Sequence, residues 1–307
     1  MNRTFLMLIF IVGLMGSGMA AIADEDPEEE EKNWTYTGFF SQQLNQVAFS
    51  NWAAGGENSF SSTSIANLGA DYAKNLISWE NKLELAYGVV KTDDISWRKN
   101  QDRIDLLSKL GRNISPQLGL SALGNFKSQF GNGYHYPNDS VAVSRFMAPA
   151  YLITALGLDY KPWEFFSIFF SPATGKFTFV RDQTLSDQGA YGVEPGETMR
   201  TEFGAMLRLA FEKEVVENVR LASTLELFNN LTDQNKSNRK NTDVDWQTNL
   251  HMKVNPYITA TFMLHMIYDH DIPIPLYETI GDELIQVGTG PRLQLQQMLG
   301  VGLSYTF

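Results

Sequence analysis

The chain has 307 residues, 43% of them hydrophobic and 12% aromatic, with a formal net charge of −11 and no cysteine. The missing cysteine excludes disulfides, thiolate metal sites and the lipid-bearing cysteine of a lipoprotein. The acidic balance, with no cluster of Lys and Arg, excludes nucleic acid as a partner, since counterion release needs such a cluster.

The first segment reads as a secretory signal peptide over 1–23. Arg3 gives the positive start, Phe5 to Met15 the apolar core and Ala21-Ile22-Ala23 a small-residue cleavage site, with Ala20 as the alternative. Asp24 to Lys32 then holds seven acids and one base, net −6, so 24–33 is expected to be an acidic, disordered leader. No later stretch has about 18 uninterrupted apolar residues, which excludes spanning helices. An exported chain without such helices enters a membrane only as a closed barrel.

From Trp34 the sequence breaks into segments of about ten residues with alternating polarity, the pattern of a membrane barrel. The first predicted strand runs from Trp34 to about Phe49, followed by a Gly-rich loop over Asn51 to Ser59. The second covers Thr63 to Tyr72. The third sets Trp79, Leu83, Leu85, Tyr87 and Val89 against Glu80, Lys82 and Glu84. A polar loop, Lys91 to Asn100, leads to the fourth, where Ile104, Leu106 and Leu110 oppose Arg103, Asp105 and Lys109. The fifth opposes Leu118, Leu120, Ala122 and Phe126 to Ser121, Asn125 and Lys127. A loop over 131–145 precedes the sixth, from Ala148 to Tyr160.

Lys161-Pro162-Trp163 is read as the turn into the seventh strand, which contains FFSIFF and should bulge near Pro172. After a loop over 181–196, the eighth alternates Phe203, Leu207, Leu209 and Phe211 with Arg200, Glu202, Arg208 and Glu212. The ninth carries Arg220 and Glu226 on its polar face. The loop Thr232 to Thr242 is polar throughout. The tenth and eleventh place His251 and His265 inward, and a long loop, 269–291, leads to LQLQQMLGVGLSYTF. In that last strand Leu293, Leu295, Leu299, Val301, Leu303, Tyr305 and Phe307 share one face.

About twelve strands result, with short and long connections in strict alternation. The expected fold is all-β, a transmembrane antiparallel up-and-down barrel over 34–307, with both termini in the periplasm. Trp34, Tyr72, Trp79, Tyr160, Trp163 and Tyr305 fall where an interfacial aromatic girdle would lie.

The GVGLSYTF ending resembles the terminal signal of Gram-negative outer-membrane barrels, and that resemblance implies recognition of Tyr305 and Phe307 by the barrel-assembly machinery. FSNWAAGGENSFSS (49–62), with KTDD and WRKNQDR after it, is similar to an uncharacterised outer-membrane family of Bacteroidetes-type bacteria. The resemblance implies an outer-membrane location and no settled activity.

The inward set Glu80, Lys82, Glu84, Arg103, Asp105, Lys109, Arg200, Glu202, Arg208, Glu212, Arg220 and Glu226 carries both signs. It reads equally as a solute-selecting pore lining or as a salt-bridged filling. His251 and His265 suggest at most a metal pair without a third ligand, and Asp269 with Asp271 a weak calcium site. The loop motif Asn51, Trp52, Gly55, Gly56 and Asn58 reads as a tight hairpin loop pinned by one aromatic, or as a gate. No catalytic constellation and no cofactor site is apparent. The expected function is a passive channel or uptake protein for small polar solutes, in contact with outer-membrane lipid. A closed barrel serving as a subunit with an envelope protein partner is the rival, and an outer-membrane enzyme comes third.

Overall fold

The computed structural model describes residues 33–49, 57–92, 95–136, 138–272, 274–280 and 283–307. The expected signal peptide, the leader up to Lys32, and Asn51, Trp52, Gly55 and Gly56 of the loop motif lie outside the described residues.

The strands are β1 (Trp34–Val47), β2 (Ser59–Lys74), β3 (Ile77–Thr92), β4 (Arg98–Asn113), β5 (Leu118–Ser128), β6 (Gly133–Tyr134), β7 (Ala142–Ser144), β8 (Ala150–Trp163) and β9 (Phe166–Phe179). After a short helix, α1 (Gln183–Asp187), come β10 (Met199–Val216), β11 (Val219–Asn230), β12 (Asp243–Asn255), β13 (Ile258–Tyr268), β14 (Ile274–Ile280), β15 (Glu283–Gly290) and β16 (Gln294–Thr306). Twelve of them close a barrel in the order β1-β16-β13-β12-β11-β10-β9-β8-β5-β4-β3-β2. Every described barrel pairing is antiparallel, and each strand lies beside its predecessor, so the fold is the expected up-and-down barrel.

The alternation of polarity sorts the side chains as expected. On β16, Leu295, Leu299, Val301, Leu303 and Tyr305 are 55 to 72% exposed on the outer wall. Two-residue turns join β2 to β3, β8 to β9, β10 to β11 and β12 to β13. The first and third of these turn on an asparagine with positive φ, Asn75 at 52° and Asn218 at 64°. Their left-handed backbone is one that asparagine adopts more readily than β-branched residues. The bulge expected near Pro172 is present. The β8–β9 register jumps from Leu156 with Ala173 to Leu158 with Phe170, and β10 slips at the same place. Proline cannot donate to a ladder, so the strand steps around it.

The strands extend beyond their predicted limits. β8 continues through Lys161-Pro162-Trp163, so that turn falls at 164–165. The connection between β3 and β4 shrinks to 93–97, close in length to the 114–117 turn at the other end. Lys91 belongs to the end of β3, and Arg98 and Lys99 to the start of β4. The loops expected at 131–145, 181–196 and 269–291 contain the β6–β7 hairpin, α1 and the β14–β15 hairpin. At the end bearing the short turns, Trp34 packs on Tyr72 (5.1 Å between ring centroids) and Trp79 (5.7 Å), and Tyr305 packs on Phe307 (5.8 Å). Phe307 closes the seam there through two backbone hydrogen bonds with Gly38.

Candidate functional site: a charged, side-chain-filled lumen

The inward charges form three tiers. Nearest the short turns, Lys109 on β4 joins Glu80 (3.2 Å) and Asp159 (3.0 Å), and Glu80 also reaches Lys82 (3.3 Å). Lys82 in turn crosses from β3 to Glu212 on β10 (3.2 Å), which Arg220 also holds (2.6 Å).

The middle tier spans the lumen. Lys127 on β5 reaches Glu226 on β11 (2.8 Å) and Asp245 on β12 (2.9 Å), while Arg208 braces Glu226 (2.9 Å). His265 bridges Asp245 (Nε2, 2.8 Å) and Arg103 (Nδ1, 3.0 Å), joining β12, β13 and β4. Glu84 receives Gln247 Nε2 (3.1 Å) and lies 3.5 Å from Arg103. Asp105 accepts from Asn125 Nδ2 (2.7 Å). Charges removed from water are tolerated when paired and hydrogen-bonded, and Lys109, Lys127, Arg103 and Arg208 are each paired with a carboxylate, whereas Asp105 is held by Asn125.

The third tier lies toward the long loops. Lys176 on β9 joins Asp243 (2.7 Å) and Asp269 (2.8 Å), with Glu202 at 3.8 Å. Arg200 joins Glu202 (3.0 Å) and also bonds Asp271. Asp269 and Asp271 are therefore each neutralised by a cation of the barrel rather than turned toward a shared metal. A Cβ at Gly192 would meet Arg200 Nη1 and Asp271 O, so the α1 loop lies against this tier. Val180, Leu185 and Val193 pack with Ala148 beneath that loop.

Apolar side chains fill another part of the lumen. Leu107, Leu123, Ala155, Phe169, Met206 and Phe228, from six consecutive barrel strands, pack into one buried cluster. Lys176 Nζ sits 5.4 Å from the centre of the Phe228 ring. Sequence reasoning missed this cluster and also the partners Asp159, Lys176, Asp243 and Asp245, and it placed Lys127 on the polar face of its strand without counting it among the lumen charges. The available signal was their period-two placement on the polar faces of their strands.

Below the middle tier a chamber of about 910 Å³ opens among residues of the short-turn end. Glu80, Lys82, Glu212, Arg220 and Lys253 line it, with Phe39 and Phe165 among its aromatics. Beside it a water-sized neck of about 20 Å³ runs between Asn67, Glu84, Gln247 and Met298. The two histidines are not brought together. His251 contacts Thr261 (3.4 Å) and the Phe39 ring (4.6 Å), four residues below His265 in the β12–β13 ladder. Asn58, the described part of the loop motif, accepts a hydrogen bond from Phe49 N (2.6 Å).

A family profile described as "Protein of unknown function (DUF3078)" matches residues 44–134. No curated protein is significantly similar to the chain in sequence. Among solved structures, an outer-membrane channel from Pseudomonas putida F1 is 13% identical with a TM-score of 0.39, over 92% of this chain and 100% of that one. The translocator domain of the autotransporter NalP from Neisseria meningitidis is 9% identical with a TM-score of 0.36, over 98% and 95%. A FadL homologue from Pseudomonas aeruginosa is 10% identical with a TM-score of 0.27, over 89% of each chain.

Proposed function

We propose that the protein is an integral outer-membrane barrel, its short turns and Phe307 facing the periplasm, that holds its lumen shut and offers a chamber to the periplasmic side. Its role is that of a closed uptake or interaction subunit rather than a freely open channel or an enzyme. The membrane reading rests on the outer wall, where leucines and aromatics of β16 stand 55 to 72% exposed around a charged interior. Water on both sides would leave that face unsolvated, whereas lipid outside and polar groups inside satisfy both.

The observation that carries the closed reading is Lys127, which reaches across the lumen to Glu226 and Asp245. The apolar cluster stands beside and below it, with Leu123 next to Lys109 and Phe169 next to Asp159, and the Lys176 tier and the α1 loop lie toward the long loops. Single-channel recording in planar bilayers tests this. Refolded protein, shown folded by heat-modifiable gel mobility, is expected to be electrically silent, and steady porin-like steps would overturn the proposal.

A passive channel for small polar solutes is the second reading, favoured by the polar neck between Asn67, Glu84 and Gln247. It requires conductance in the wild type that changes on charge reversal at Arg103 or Glu84.

A further inference from the structure

The barrel wall is least complete at its closing seam. β1 pairs with β2 along its whole length, from Trp34 with Tyr72 to Val47 with Ser59. β16 pairs with β13 from Leu303 with Ile258 to Gln294 with Ile267. Between β1 and β16 the ladder runs only from Phe39 with Thr306 to Gln43 with Gly302. Above Gln43, among the described residues, Leu44–Val47 and Gln294–Val301 have no ladder partner across the seam.

This stretch lies in the apolar belt, because Leu44, Leu299 and Val301 are 60, 72 and 57% exposed on its outer face. Backbone edges at that depth are costly to leave unpaired in hydrocarbon. Two side chains of β1 add to the deficit. Ser41 and Gln43 are buried, at 0 and 7% exposure, and among the described residues neither Ser41 Oγ nor Gln43 Nε2 has a hydrogen-bond partner. Ser41 stands opposite Ser304 and Gln43 opposite Gly302 on β16. A Cβ at Gly300 would run into the Gln43 side chain, so that side chain occupies the slot which the glycine leaves. Just inside lie Ile65, Met263 and Met298, which line the neck, and the neck shares Asn67 and His251 with the periplasmic chamber. On the outer wall beside the seam, Gln42 bonds Ser62 (3.0 Å) and Ser64 (2.6 Å), a polar spot at the edge of the belt.

An unzipped seam at membrane depth, flanked by leucines outside and with two orphan donors on the lumen face of the last paired rungs at its foot, suits a molecule that is apolar at one end and accepts hydrogen bonds at the other. We propose that the β1–β16 seam is a lateral binding port for a single-chain amphiphile of the membrane. Its acceptor oxygen takes hydrogen bonds from Gln43 Nε2 and Ser41 Oγ, and its alkyl chain lies against Leu44, Leu299 and Val301. Gln43 is the latch between this port and the neck. The inference rests on the membrane reading given above, but not on whether the lumen conducts.

The chain has no cysteine, so introduced pairs report the seam directly. Gln42→Cys/Leu303→Cys, a paired position, should oxidise readily in the refolded barrel. Gln46→Cys/Leu299→Cys, the place where a continued ladder would pair them, should be at least about tenfold slower, because disulfides demand closely spaced Cβ atoms. Equal rates would overturn the open seam.

Binding is read from Met298→Trp fluorescence, quenched by doxyl-stearic acid or by its methyl ester in vesicles. Saturable quenching by both, lost in an added Gln43→Ala or Gly300→Leu change, is expected for a carbonyl acceptor. Quenching by the acid alone assigns a carboxylate headgroup. Quenching that survives both changes, or none in a barrel whose seam is open by cross-linking, would overturn the port. A failed membrane reading would show differently, as a protein that does not insert into vesicles at all.

Discussion

Lys127 and Glu226 face each other across the lumen, Nζ to Oε2 at 2.8 Å, although β5 and β11 are separated by three intervening barrel strands. Asp245 and Arg208 complete the group, so two cations and two anions neutralise one another inside a wall that lipid would surround. The contact is a tie across the barrel rather than a rung along its wall, and it couples two strands that share no ladder.

Lys127→Met should therefore destabilise the barrel strongly. Removing one partner of a buried pair leaves the other uncompensated, at a cost of about 3–5 kcal/mol. Arg208 and His265 remain beside the two carboxylates, which points to the lower end of that range. Urea unfolding of the refolded protein in lipid vesicles measures it. Lys127→Met with Glu226→Gln should recover part of the loss, and independent, additive effects would contradict the coupling.

The apolar side of the lumen makes a second prediction. Phe169 is 1% exposed and packs among Leu107, Leu123, Met206 and Phe228. Phe169→Ala should cost about 3–5 kcal/mol, as in a soluble core, because the removed ring leaves a cavity. A water-filled pore would tolerate the change almost freely, so unfolding free energies distinguish the two interiors.

These two interiors also mark how far the sequence could be read. Period-two alternation located the twelve strands and the outer wall, since Leu295, Leu299, Val301 and Leu303 can share only one face. It is silent where both faces are apolar. Leu106 and Leu107 are neighbours on β4, yet one is 44% exposed outside and the other 4% exposed within. Expecting a polar lumen hid Leu107, Leu123 and Phe228 from view. The partners of Lys127 were equally illegible, because they depend on how the barrel closes and not on local pattern. Inside the loop expected at 269–291, Pro275 and the glycines at 288 and 290 mask the alternation of the β14–β15 hairpin.

The membrane reading can be tested on the outer wall alone. Leu156 on β8 is 62% exposed, away from the tiers of charge. On the lipid face near the midplane, Leu156→Arg should destabilise by about 2–4 kcal/mol in vesicles. An exposed leucine of a water-soluble barrel would tolerate arginine to within about 0.5 kcal/mol. Vesicle unfolding curves of the two forms separate these outcomes, and a neutral substitution would remove the lipid from the argument.

The bulge at Pro172 depends on a close backbone approach. A Cβ on Gly157 would run into the backbone carbonyl of Phe170 on the neighbouring strand, whereas one on Gly124 would find its nearest neighbour, Ser108 O, at 4.0 Å. Backbone cannot swing aside as a flexible side chain does, so Gly157→Ala must widen the β8–β9 pairing where its register already slips. The expected cost is about 1–3 kcal/mol, the range for overpacking a tight site. Gly124→Ala should be neutral or slightly stabilising, because alanine restricts the unfolded chain more than glycine does. Heat-modifiable mobility of the two variants across a temperature series gives the comparison. Equal melting would show that the two strands stand further apart at Gly157 than the register slip implies, and Pro172 would then bend β9 without bringing it against β8.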